Sequence, residues 1–342
     1  HYYSIPTEGR SPSQIEKFEM TLSEVAVQLL DALKMPFGYF WDSESRLHVL
    51  YLLSSLILAY FVYSRSHIKE SFLKFVFRRE VWLSASAQVD YALIFFNAIF
   101  KVFLIGPYLI FGFYLSYKIE AFLPEIFGYP GSSLSATSTI VWYTIIITLV
   151  SDFSTYVVHY FMHKIPWLWE FHKTHHSATV LNPITQYRIH PLELMINNAR
   201  SILVLGLVTG FFRYLSAHHL EELTLIGANA FSFAFLVFGS NLRHSHIPLK
   251  YFNWLEYFFI SPFQHQIHHS NKQEHFNRNM GAKLAIWDWM FGTLLRSEEV
   301  SQIAFGLGKH EDPYYQTIWS NLLRPFSNLW QSIRSSTVAD KD

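Results

Sequence analysis

The sequence predicts an all-α fold, a polytopic integral membrane helical bundle of about four to five membrane helices with a histidine-rich metal site at the helix ends. Three observations predict it. Of 342 residues, 51% are hydrophobic and only 15% are charged, against about a quarter charged in a soluble domain. The apolar residues gather into runs near the roughly 20 residues that a bilayer-spanning helix needs. Histidines crowd into two windows after such runs: residues 159–190 and 244–275 hold 12 of the 18. Net charge is zero and cysteine is absent. Nothing therefore points to nucleic acid, and disulfides, thiolate clusters and cysteine nucleophiles are excluded.

Residues 1–47 lean acidic, show no signal peptide and read as an extracytoplasmic or interfacial segment. Residues 48–150 supply membrane helices without a catalytic motif, with apolar runs at 48–64, 91–117 and 138–162, the last continuing into the next region. Arg65, Lys69, Lys74, Arg78 and Arg79 mark the loop 65–90 as cytoplasmic, because basic residues are retained on that side. The opposite loop, 118–137, has a single basic residue, Lys118, and a "YPGSSLS" turn. The chain thus starts outside, crosses in, out and in again, and keeps its C-terminal part inside.

Residues 151–308 form the expected catalytic region. Within it, apolar runs at 200–215 and 222–240 flank "SAHHLEE" and predict a tight helical hairpin, spanning or re-entrant. In the tail, 309–342, Trp319, Leu322, Leu323, Phe326, Trp330 and Ile333 recur at helical spacing. That fits an interfacial amphipathic helix or a helix packed on the histidine region. Pro325 predicts a break or a helix N-terminal position there, and 335–342 a disordered end.

Residues three and four apart share one helix face. His159 and His163 are so spaced, as are His172 with His175 and His176, and His265 with His268 and His269. Eight rings exceed the needs of one tetrahedral ion, whereas two ions sharing a site would use them. Without metal, rings packed this way repel when protonated and pay for desolvation when buried. His244 is a ninth candidate ligand, and His190 a further ligand or a group that supports one. His246 and His275 are donors near the site or polar surface. His1, His48, His67, His218, His219 and His310 are surface or interface residues.

Imidazole suits iron, zinc, copper and nickel alike. The Glu-x-x-His pattern of soluble di-iron bundles and the H-E-x-x-H of zinc hydrolases are both missing. No phosphate-binding loop or serine elbow occurs. Two histidine-held irons facing a membrane suit the activation of dioxygen against an unactivated C–H bond. The metals carry that chemistry, while the protein positions a lipid-like substrate and excludes water.

The segments "DFSTYVVHYFMH", "WEFHKTHHS", "RIHPLE", "NLRHSHI", "QHQIHHS" and the later "FGLG" resemble the fatty acid hydroxylase / sterol desaturase superfamily over about 152–308. Bacterial-type members often carry Asn where His246 stands. The resemblance implies a non-haem di-iron membrane oxygenase with a cytosolic helical cap that holds the metals. It carries over His159, His163, His172, His175, His176, His244, His265, His268 and His269 as ligands, with His190 as a tenth.

Asp152 lies seven residues before His159, two turns back on the same face, and is expected to fix a ring tautomer. Glu193, after "HP", is a second such carboxylate. The expected activity is hydroxylation of a lipid-like alkyl chain, with desaturation as the near alternative. A membrane metal transporter or sensor, or a metal-holding scaffold without turnover, are alternatives of another kind. Two iron ions, zinc in their place after purification, and dioxygen as co-substrate follow from the oxygenase expectation. Electrons would come from a separate cytochrome b5-, ferredoxin- or reductase-type protein. The active site would face the cytoplasm, in a bacterial inner membrane or the endoplasmic reticulum.

Overall fold

The computed structural model describes residues 21–216 and 231–339. Among these residues the regular elements are helices, with two isolated bridges, Leu134 to Ser216 and Phe259 to Leu284, and no strand. The first helices are α1 (Leu22–Gly38), α2 (Val49–Ser64), the short α3 (Phe72–Val76) and α4 (Arg79–Trp82), and α5 (Ala85–Phe100). They are followed by α6 (Ile110–Phe127), α7 (Ala136–Lys164), α8 (Pro166–His176) and α9 (Pro191–Leu215). Later come α10 (Pro262–His268), α11 (Ile286–Met290) and α12 (Ile318–Ala339).

Three stretches are long and apolar enough to cross a membrane: Ala85–Phe127, Ala136–Lys164 and Pro191–Leu215. The apolar α2 is shorter, at 16 residues. The run expected as one span over 91–117 is broken. A π turn at Lys101–Ile105 and a 3-10 turn at Gly106–Tyr108 separate α5 from α6, around Pro107, which has no amide hydrogen to donate. The two halves then take different neighbours. On α5, Asp90 and Asn97 are buried against 182–189, whereas α6 runs along α9. Because α6 continues to Phe127, the loop expected at 118–137 shortens to 128–135.

The α6–α9 seam is built on small residues, as lipid-facing helices require for close approach. A Cβ at Gly206 would stand 2.9 Å from Leu115, and one at Gly210 only 2.6 Å from the Ser116 carbonyl. Arg213 and Glu120 pair at 2.5 Å near the end of this seam. Helix α9 starts at Pro191, nine residues before the expected apolar run, because His190 caps it. The turn of the expected hairpin, with His218 and His219, and residues 222–230 of its second arm lie outside the described residues; 231–237 is helical.

Helix α12 packs one face on its neighbours and leaves another exposed. Ile318 and Leu322 pack on Val89 and Leu93 of α5, and Phe326 meets Phe171 of α8. Trp319, Leu323, Trp330 and Ile333 stay exposed. Pro325 does not end the helix. It removes the amide that would serve the Asn321 carbonyl, and the Thr174 hydroxyl donates to that carbonyl instead, at 3.1 Å.

Candidate metal centre

Four local structures bring the histidines together. Helix α7 ends at Lys164 because Ile165 precedes a proline and is held extended. Pro166 then opens α8, where a first-turn proline loses no hydrogen bond. This corner folds His159 and His163, at the end of α7, onto His172, His175 and His176 of α8. Helix α10 is fixed by a capping box between Ser261 and Gln264, which aims His265, His268 and His269 inward. His244 ends a 3-10 turn that begins after Gly239, whose φ of 94° is in the region glycine favours.

Nine rings result in two adjoining groups. His159, His163, His172, His176 and His268 form one; His175, His244, His265 and His269 form the other. Within each group the candidate ligand atoms lie within 4.8 Å of one another. The groups touch, with the rings of His176 and His269 4.7 Å apart.

Short nitrogen–nitrogen distances show what these groups fit. His159 and His176 place Nε2 at 3.1 and 3.2 Å from His172 Nε2. Nε2 of His244, His265 and His269 are mutually separated by 3.0, 3.2 and 3.2 Å. Three neutral rings cannot all donate to one another. Metal–nitrogen bonds of about 2.1 Å would give octahedral edges of about 3.0 Å and tetrahedral edges of about 3.4 Å, which is the observed range. The buried Nε2 atoms of His163 and His268 have no hydrogen-bond partner. Buried imidazole lone pairs left this way fit metal ions.

Backbone carbonyls set the tautomers. Nδ1 donates to the Met280 carbonyl from His159 (2.7 Å), to the Arg188 carbonyl from His175 (3.2 Å) and to the Arg278 carbonyl from His268 (2.9 Å). A carbonyl only accepts, so each of these rings keeps its Nε2 lone pair for the cluster. Glu193 Oε1 lies 2.9 Å from His172 Nδ1. His265 differs: Arg243 donates to its Nδ1 at 2.9 Å. Ligation through its Nε2 therefore requires an imidazolate or a turned guanidinium. Burial holds His172 and His175 down at about 3, and it holds His176, His244, His265, His268 and His269 well below the usual imidazole range. These rings are neutral at physiological pH, the state that ligates.

Two expected site residues have other tasks. His190 accepts from the Leu192 amide at 3.1 Å and donates to the Leu322 carbonyl at 3.1 Å. Both ring nitrogens are occupied, so it caps α9 and anchors α12 outside the two groups. Asp152 does not hold a ring, because seven helical residues put it about 10 Å from His159 along the axis. It accepts from the amides of Lys283 and Leu284, at 2.9 and 3.1 Å, and from the Trp287 indole at 2.9 Å. Asp288 accepts from the amides of Met280 and Gly281 in the same segment. The two aspartates thus fix the loop whose Met280 carbonyl orients His159. His246 donates to the Phe75 carbonyl at 2.6 Å, and His275 bonds Ser270 at 2.9 Å; both lie outside the groups.

Sequence reasoning missed Arg188, Arg243 and the orienting carbonyls. Carbonyls belong to every residue and leave no mark in a sequence. Arg188 had a signal, since a cation beside the histidine motifs needs a partner; it pairs with Asp90 at 3.1 Å, and both are buried. A cavity of about 460 Å³ reaches His159, His172, His175, His244 and His265. A second, of about 290 Å³, reaches His163, His176 and His268 past Trp169 and Lys173.

Residues 144–293 match the fatty acid hydroxylase family and contain all nine grouped histidines. Over 180 residues the chain is 28% identical to the ornithine lipid hydroxylase OlsE of Rhizobium tropici, covering 52% of this chain and 49% of that protein. The match thus spans about half the length of this curated relative. No solved structure matches.

Proposed function

We propose that this chain, a member of the fatty acid hydroxylase superfamily through residues 144–293, is a membrane-bound lipid hydroxylase whose two histidine groups each hold one iron ion. The observation that carries the proposal is the pair of adjoining groups, five and four rings, with the tautomers of His159, His175 and His268 set by carbonyls. Bound iron would supply the activation of dioxygen that an unactivated C–H bond requires. The protein's part is placement. Met280, Arg188 and Arg278 orient rings through their carbonyls, Glu193 faces His172, and burial keeps the rings neutral. The OlsE likeness favours a polar lipid as substrate and hydroxylation over desaturation.

A cytoplasmic placement of the site is supported by its neighbours. Phe75 and Val76, within the basic segment 65–79, pack on Leu242, Ile247 and Leu249 beside His244, and basic loops stay on the cytoplasmic side. Electrons come from a separate donor of the cytochrome b5, ferredoxin or reductase type.

Metal analysis of the purified protein tests the centre: two ions per chain are expected, zinc standing in for iron where zinc is abundant. Turnover of a polar lipid under labelled dioxygen tests the chemistry. Label in the product identifies hydroxylation, an unlabelled alkene identifies desaturation, and ion flux through vesicles without either product overturns the enzyme.

A further inference from the structure

Helix α12 carries an apolar stripe that its protein neighbours leave largely uncovered. Trp319, Leu323, Phe326, Trp330 and Ile333 are each more than half exposed. Their spacing of four, three, four and three residues places them within an arc of about 80°. To one side of that arc lies the packed face, with Ile318 and Leu322 on α5 and Asn328 donating to Glu170 of α8 at 2.7 Å. To the other side lie Ser320, Ser327, Gln331 and Arg334; of these, Ser327, Gln331 and Arg334 are exposed. Around its girth the helix thus meets protein, an open apolar strip, and water.

Two coverings match a strip of this shape: a helix of a second copy, or a bilayer surface. The spacing alone would serve a coiled-coil seam, but such seams are flanked by charges of both signs. Residues 313–339 contain Arg324 and Arg334 and no Asp or Glu. Two of the five stripe residues are tryptophans, which favour headgroup depth. The helix does not belong to the stretches apolar enough to cross a membrane. A basic, tryptophan-bearing, one-sided helix of this kind suits the interface. Its supports stand at the same level. It rests on the first half of α5, where a stretch able to cross begins at Ala85, and on α8, which follows directly where α7 ends at Lys164.

We infer that α12 lies in the headgroup layer of the bilayer that α7 and α9 cross, with its stripe at the acyl boundary and Arg334 toward anionic headgroups. It thereby holds α8, with His172, His175 and His176, at the membrane surface. The link to α8 is direct: Asn328 bonds Glu170, the Thr174 hydroxyl donates to the Asn321 carbonyl, and Phe326 meets Phe171. This placement does not depend on the reaction that the histidines serve.

The chain contains no cysteine, so a single introduced cysteine reports one position. Leu323→Cys, Trp330→Cys, Ser327→Cys and Gln331→Cys are each labelled with an environment-sensitive fluorophore in the full chain, in phosphatidylcholine–phosphatidylglycerol nanodiscs. Helical circular dichroism equal to that of the parent shows that each variant is folded. Labels at 323 and 330 are expected about 5 to 10 Å into the headgroup and acyl boundary. They should be blue-shifted, quenched by nitroxides on lipid chains and spared by an aqueous nickel chelate. Labels at 327 and 331 should show the reverse. Adding Trp319→Ser and Trp330→Ser to Leu323→Cys should return its label to water without loss of helix, because the packed face is untouched. Quenching of all four labels by the chelate, with none from the lipid nitroxides, overturns the proposal. Protection of 323 and 330 from both quenchers, with energy transfer between labels on different copies, also overturns it and assigns the stripe to a second copy of the chain.

Discussion

His163 and His268 carry the clearest evidence for metal, because their buried Nε2 atoms have no protein partner. Replacing either by alanine should empty the five-ring group and leave the four-ring group filled. Metal content would fall from two ions to about one per chain, as counted by elemental analysis. His190→Gln should retain both ions, because that ring serves α9 and α12. Asp152→Asn should weaken metal binding about 10- to 100-fold, since it loosens the loop that orients His159 rather than a ligand; competition with a chelator measures this. The pH dependence follows from burial. His172 and His175 are held at about 3, against 6.5 for an exposed ring. Below about pH 6.5 the unfolded chain takes up protons that the folded rings refuse. Stability therefore falls as pH drops, by about 1.4 kcal/mol per ring per pH unit, until the folded rings titrate. Metal-stripped protein should lose its helical circular dichroism in mild acid, near about pH 5 to 6, and zinc loading should move that midpoint lower. A stripped protein stable to about pH 4 would contradict the burial of neutral rings.

Among the elements, the common helix faces of the histidines on α7, α8 and α10 were legible in the sequence, because i, i+3, i+4 spacing acts locally, whereas the corner at Pro166 and the Ser261–Gln264 cap came from the structure. The break between α5 and α6 was not read, since the apolar run continues through Lys101 and Pro107 and composition alone favours one span. Pro325 misled in the opposite sense. Its helix continues because Thr174, on a different helix, satisfies the carbonyl that the proline leaves free. Thr174→Val should therefore cost about 1 kcal/mol, the value of one buried hydrogen bond, and should cost less in a Pro325→Ala background. A double-mutant cycle in thermal unfolding measures the coupling. Gly210→Leu should separate α6 from α9, since a Cβ there already meets the Ser116 carbonyl at 2.6 Å, and thermal stability should fall with the metal groups still intact.

At the scale of the whole molecule, one buried pair joins the membrane-side helices to the histidine region. Arg188 reaches Asp90 of α5, Ser86, Ser177 and the Tyr315 carbonyl, while Asp90 also accepts from Thr185 and Asn182. Arg188→Met would leave the Asp90 carboxylate buried without its cation, a loss of about 3 to 5 kcal/mol. Folded yield in detergent should drop sharply and recover in part in the Arg188→Met, Asp90→Leu double variant. The sequence by itself determined that the chain is helical and apolar, and that its histidines fall on common helix faces, because periodicity and composition are properties of neighbours along the chain. Only the tertiary structure divided nine rings into five and four, removed His190 from them, and moved Asp152 from a ring to a loop. Each of these depends on groups far apart in sequence, meeting through backbone carbonyls and buried pairs that no local spacing encodes.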